Sequence, residues 1–181
     1  MMGLGIGPRW GAPCIAYGVT AVLLTHRFPD VFMFSHRADA ALGAAGALLL
    51  TVGLAIYLIT VGWFLSAHRN GALATTGPFR IVRHPLYATW LWLIFPGIAL
   101  LCRSWLVLGV VPVGYATFRA FIRHEEDELE RRFGREYETY RWNVNQIIPR
   151  IFSASSSRHT QGEDDKNRHR KPPSGTGNSC R

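Results

Sequence analysis

The chain has 181 residues, 48% hydrophobic and 18% charged, with 20 Lys and Arg against 12 Asp and Glu and a formal net charge of +8. That length suits one domain, not two substantial ones. No Asp or Glu occurs between Asp39 and Glu125, a gap that a water-soluble globule does not leave, so the composition is that of an integral membrane protein. Three cysteines, Cys14, Cys102 and Cys180, are too few and too scattered for a disulfide framework or a zinc site, and no metal site is expected.

Arg9 ahead of the apolar run from Gly11 to Thr25 has the look of a secretory leader. No small-x-small cleavage site follows, and His26-Arg27-Phe28-Pro29 closes the run, so Trp10 to Thr25 reads as a retained first span. No lipid-anchor motif is found at either end. The second span runs from Ala40 to Ala67, and its Ala41, Gly43, Ala45, Gly46, Ala47 and Gly53 form a stripe of small residues that lets a neighbouring helix approach. After a loop from His68 to His84 come a third span, Leu86 to Leu101, and a fourth, Trp105 to Ile122. Only Cys102-Arg103-Ser104 separates them, which predicts a helical hairpin. Pro96 and Pro112 each remove a backbone donor inside these spans and predict two kinks. The fold expected is an all-α polytopic membrane helix bundle of about four transmembrane helices, with the hairpin and a C-terminal cytoplasmic helix.

Arginine placement sets the orientation. Arg9, Arg69, Arg80, Arg83, Arg119 and Arg123 fall on one side, and Arg27, Arg37 and Arg103 on the other, so both termini are expected in the cytoplasm. Trp10, Trp63, Trp90, Trp92 and Trp105 include interfacial anchors, although Trp90 and Trp92 could equally line a pocket. From Ser153 onward scarcely an apolar residue remains, so 1–152 reads as the membrane domain and 153–181 as a disordered polar tail. Nucleic acid is not an expected partner, because part of the charge is an orientation signal and the tail lacks stacking aromatics. Membrane lipids are. The use of Arg over Lys, with only Lys166 and Lys171 present, points to a GC-rich genome and a bacterial inner membrane.

Two polar constellations flank the third and fourth spans. In the first, Gly77-Pro78 make a turn and Pro85 opens a helix at its first position, leaving Arg83 and His84 at that helix's N-terminus. Amides, helix dipole and guanidinium together favour an anion there. The ordinary alternative is a pair of interfacial cations obeying the topology rule. The second constellation is a helix from Phe118 to Phe133, capped by Gly134. Its apolar stripe of Phe118, Ile122, Leu129 and Phe133 is completed by Glu126, with Glu125 adjacent, so a carboxylate occupies a core position. Such an acid needs a cation or donor partner, either Arg83 or His84 directly or a polar ligand held between them.

The run Leu73-x-x-x-Gly77-Pro78-Phe79-x-x-x-Arg83-His84-Pro85-x-Tyr87, followed by Glu125-Glu126-x-x-Leu129-x-x-x-Phe133-Gly134-x-x-Tyr137-x-x-Tyr140-x-x-x-Val144 and Pro149, resembles the integral-membrane methyltransferases of the isoprenylcysteine carboxyl methyltransferase and phospholipid methyltransferase group. The resemblance covers residues 73–151. It implies S-adenosyl-L-methionine as methyl donor, held at the cytoplasmic end by these blocks, with a lipid-side entrance for a hydrophobic or lipid-borne acceptor. Carried onto this chain, it places Arg83, His84 and Glu126 in catalysis and Arg83, His84, Pro85, Tyr87, Glu125 and Glu126 around the cofactor. Arg83 and His84 would meet the amino-acid carboxylate, Glu125 and Glu126 the ammonium or ribose hydroxyls, and Tyr87 would pack on the cofactor. Tyr137, Tyr140 and Arg141 would guide the acceptor headgroup, unless they are only interfacial anchors. Thr89 departs from the small residue common in relatives, which bears on pocket width.

The leading expectation is a donor-dependent membrane methyltransferase of the isoprenylcysteine carboxyl O-methyltransferase kind, with a phospholipid amine N-methyltransferase close behind. A prenylcysteine carboxylate is already ionised and needs no base, whereas an amine must first lose a proton. A membrane reductase of sterol-reductase type shares an Arg-His-Pro-x-Tyr block but has further spans, and a non-catalytic lipid-binding protein would keep only the scaffold.

Overall fold

Helix α1 runs Gly7–Arg27 and is followed by the short α2, Pro29–Phe32, and the 31-residue α3, Asp39–Arg69. A 3-10 turn, Gly77–Arg80, leads to α4, Pro85–Thr89, which passes through one π turn, Trp90–Ile94, into α5, Phe95–Leu101. Then come α6, Trp105–Leu108, α7, Val110–Phe133, and α8, Arg135–Asn143. The computed structural model describes residues 7–34 and 39–149, all within one compact unit, Met1–Arg150. The tail expected to be disordered, 153–181, lies outside the described residues. Among the described residues every regular element is a helix, and an isolated backbone bridge joins Met33 and Ser104.

Both proline expectations are met by a different local solution. Pro96 has no amide hydrogen, and in a regular helix its ring would meet the carbonyl of Trp92. The backbone widens before it, with Phe95 N–H donating to Trp90 O, so the distortion is a π turn at Trp90–Ile94. The fourth apolar run breaks at Gly109, not at Pro112. Pro112 falls in the first turn of α7, where an amide has no intrahelical partner to lose. Gly109 is needed because Tyr17 of α1 reaches over it to donate to Leu106 O at 3.0 Å, and any side chain there would collide with that hydroxyl.

The small-residue stripe of α3 packs on α5. A Cβ on Gly46 would stand 2.9 Å from Gly97 O, and one on Gly97 would stand 2.9 Å from Leu50 Cγ. Helix α1 lies on α7, where Trp10 Nε1 donates to Gly114 O at 2.8 Å. Trp10, Cys14, Leu91, Phe95, Phe118 and Ile122 form the buried core between them. The hairpin turn is fixed by Ser104, whose hydroxyl caps α6 by accepting from Val107 N–H and bonds Thr25 of α1 at 2.7 Å.

Among the described residues two helical stretches are long and apolar enough to cross a bilayer, Ala40–Arg69 and Trp105–Phe133. Pro85–Leu101 is a shorter apolar helix. Leu48, Leu54, Leu58 and Ile59 of α3 and Ile15 and Leu23 of α1 are exposed. An apolar outer surface of that extent suits hydrocarbon, not water.

Candidate functional site

The site begins at the turn after α3. Gly77 has φ +62 and lies against the Trp63 indole, where a Cβ would approach to 2.8 Å, so only glycine lets the turn tuck under α3. The chain then runs alongside residues that follow α8. Arg83 N–H donates to Asn145 O at 2.7 Å and His84 N–H to Gln146 O at 2.9 Å. These two bonds hold the Arg-His pair immediately before Pro85 opens α4.

From the opposite side α7 presents Phe118, Ile122 and Glu126 along one buried stripe, with Glu126 only 4% exposed. The two constellations meet. Arg83 Nη1 donates to Glu126 Oε1 at 2.6 Å, Gln146 Nε2 donates to the same oxygen at 3.0 Å, and His84 Nε2 lies 3.4 Å from it. His84 Nδ1 is 3.9 Å from Glu125 Oε1, so the imidazole stands between two carboxylates. Tyr87 donates its hydroxyl proton to Glu125 Oε2 at 3.1 Å.

Helix α8 closes the cluster. Tyr137 is fully buried and its hydroxyl accepts from Arg83 Nη1 at 3.3 Å, while Tyr140 donates to Phe79 O at 2.6 Å. Burial, reinforced by the Glu126 carboxylate, pushes the Tyr137 phenol up to about 12, and burial raises Tyr140 as well. Both are neutral hydroxyls near neutral pH. Arg141 does not join them. Its side chain is 49% exposed and pairs with Glu130 at 3.3 Å. Thr89 is buried and spends its hydroxyl on Pro85 O at 2.7 Å, so it narrows the helix packing without presenting a polar group.

Three hollows adjoin the cluster. A cleft of about 190 Å³ is lined by Phe79, Arg83, His84, Glu125, Glu128 and Tyr140. An apolar groove of about 720 Å³ lies between α1 and α4–α5, walled by Trp10, Cys14, Ile15, Tyr87, Trp90 and Phe95. A third hollow of about 330 Å³ has Arg83, Tyr115, Arg119 and Gln146 in its wall. Trp90 thus lines a pocket, whereas Trp92 is 49% exposed and is not part of the groove.

The cleft suits a zwitterion. Arg83 Nε is a buried donor with no partner among the described residues, as a carboxylate contact would require. Glu125 and Glu128 offer acceptors for an ammonium on the same cleft, and Phe79 and Tyr140 offer ring faces. A volume of about 190 Å³ is below the roughly 300–1,000 Å³ usual for small-molecule sites, so a ligand of nucleoside size would also cover the open side. Glu126 is behind this wall and not in it, holding Arg83 and His84 in place. Among the described residues no group of three or more His, Cys, Asp and Glu could hold a metal ion.

Gln146 and Asn145 were not singled out from the sequence. Their contribution is one amide side chain and two carbonyl oxygens, delivered from beyond α8, and no spacing rule announces it.

The family model described as phospholipid methyltransferase matches residues 38–136, more than half of the chain. The cobalt-zinc-cadmium resistance protein CzcN of Cupriavidus metallidurans is 32% identical over 141 residues, which cover 74% of this chain and 63% of that protein. The nickel-cobalt-cadmium resistance protein NccN of Alcaligenes xylosoxydans xylosoxydans is 32% identical over 112 residues, covering 58% of this chain and 52% of that protein. The chain therefore spans between half and two thirds of the length of these curated relatives. No solved structure matches it.

Proposed function

The chain belongs to the phospholipid methyltransferase family, and we propose that it transfers a methyl group from S-adenosylmethionine to a lipid-borne or hydrophobic acceptor in a bilayer. The reading is supported above all by the junction of Arg83 and His84 with Glu125 and Glu126, placed between a polar cleft and an apolar groove. The family favours a phospholipid amine as acceptor over the prenylcysteine carboxylate. The spans are four, counting α1 and α4–α5 with the two longer stretches, and both termini face the cytoplasm.

When bound, the donor supplies a methyl group activated by a sulfonium. Arg83 takes the amino-acid carboxylate through its unpaired Nε, and His84 stands beside it. Glu128 faces the ammonium, and Glu125 borders the cleft with one oxygen held by the Tyr87 hydroxyl. Glu126 contacts no ligand in this scheme. It fixes the guanidinium and imidazole in place. The groove receives the acceptor's apolar part and excludes water from the reacting atoms. Tyr137 and Tyr140 bind no headgroup here but brace Arg83 and the Phe79 turn.

A methyl-transfer assay on the purified full chain tests this, with radiolabelled donor and a panel of phosphatidylethanolamine, a farnesylated cysteine and an aliphatic thiol. Label in the organic phase with phosphatidylethanolamine is the expected result. No labelled product from any acceptor would contradict the reading and leave a lipid-binding scaffold.

A further inference from the structure

Among the described residues none lines both the polar cleft and the apolar groove, yet a hydrogen bond joins their walls. Tyr87 turns its ring to the groove, and its hydroxyl donates to Glu125 Oε2 at 3.1 Å, while Glu125 lines the cleft. Among the described residues no charged side chain lines the groove. An ammonium carried there on a lipid loses its hydration with no counter-charge to replace it, which favours loss of its proton.

We propose that Tyr87 and Glu125 form a proton hand-off from the acceptor in the groove to the cleft, matching the site to a protic acceptor such as a protonated amine. The inference rests on the methyltransferase reading above. One N–H bond of the ammonium breaks and its proton goes to the Tyr87 oxygen. In the same step the Tyr87 O–H proton goes to Glu125 Oε2. Tyr87 ends as it began, Glu125 is a neutral carboxylic acid, and the nitrogen keeps the electron pair that then forms the bond to the methyl group as the donor's S–CH3 bond breaks and its sulfur leaves as a neutral thioether. Glu125 returns its proton to water once the spent donor has left the cleft, which its 24% exposed side chain reaches.

Glu126 is not suited to this task. Its Oε1 already receives Arg83 and Gln146 and lies beside His84, and it is buried away from the groove. Glu125 has a different setting. It faces Tyr87 from α4 and His84 from the segment before it, and it shares the cleft with His68 of α3, Glu128 and Arg132 of α7, Arg83, and Tyr137 and Tyr140 of α8. A carboxylate acceptor has no proton to give up, so the hand-off adds nothing for it. Tyr87 accordingly belongs to the acceptor's side of the site and not, as the family resemblance implied, to the cofactor's.

The test uses the full chain in phosphatidylcholine vesicles, with phosphatidylethanolamine as the amine probe and farnesylcysteine as the carboxylate probe. Three quantities are read: binding of radiolabelled S-adenosylmethionine, and kcat and KM for each probe. Tyr87→Phe keeps the ring and removes the proton path. It should bind the donor as the wild type does, hold KM for the amine, and lose about a hundredfold in kcat. That loss should shrink as pH rises and solvent deprotonates the amine. A Tyr87→Phe variant with wild-type kcat on the amine overturns the hand-off alone, as does one that fails to bind the donor or a wild type that prefers the carboxylate. A wild type that methylates neither probe overturns the hand-off and the methyltransferase reading together.

Discussion

Glu126 Oε1 takes charge-assisted bonds from Arg83 and Gln146 in a place from which water is excluded. With the side chains of Arg83 and Glu126 only 9% and 6% exposed, removing one partner strands the other's charge. Glu126→Ala should therefore lower stability by about 3–5 kcal/mol, the usual cost of breaking a buried pair. Thermal denaturation in detergent measures it, and a melting temperature equal to the wild type would show that the pair is not buried. The position of Glu126 was legible because it falls on the period of Phe118 and Ile122, so the α7 stripe carries its carboxylate inward. The partner was legible only as a choice among Arg83, His84 and a polar ligand held between them, and both side chains contact the carboxylate. Gln146 was not legible, since a single amide in an irregular segment carries no periodic signal. Arg141 follows Tyr137 by one helical turn and shares its face by spacing, yet its guanidinium pairs with Glu130 on the surface, which spacing alone does not reveal.

Between helices, the decisive contacts are made by residues with no side chain. Gly46 and Gly97 let α3 and α5 touch backbone to backbone, and Gly53 leaves room for the side chains of Leu93 and Ile94. Gly97→Val should separate the two helices and cost about 1–3 kcal/mol by overpacking. Gly43→Val is the control, because a Cβ at Gly43 meets nothing within 4 Å. Equal thermal stability of the two variants would contradict this packing. The small-residue stripe announced a helix contact on α3, though not which members of the stripe make it. The prolines announced irregularity on each side of the hairpin and misplaced it. Pro96 forces its distortion one turn earlier, at Trp90–Ile94. The break near Pro112 is instead set at Gly109 by Tyr17, a residue of α1 whose reach no local pattern encodes.

Over the whole molecule, an acid-free stretch from Asp39 to Glu125 supplies the apolar helices, and the Arg83-His84 pair before the hairpin and the first two acids after that stretch supply the site. Arg83 and His84 precede the first hairpin helix, and Glu125 and Glu126 lie toward the end of the second, so closing the hairpin brings them together. That closure is what the two motif blocks, far apart in sequence, have in common. It also sets the walls of the polar cleft and the apolar groove against each other where Tyr87 donates to Glu125. The central claim is that this junction holds the methyl donor. Equilibrium binding of radiolabelled S-adenosylmethionine to the purified full chain, wild type against Arg83→Gln, tests it most directly. The account expects saturable binding by the wild type and a loss of roughly tenfold or more in Arg83→Gln, the worth of a hydrogen bond to a charged group. Absence of saturable binding in the wild type, or equal affinity in the two proteins, would contradict it.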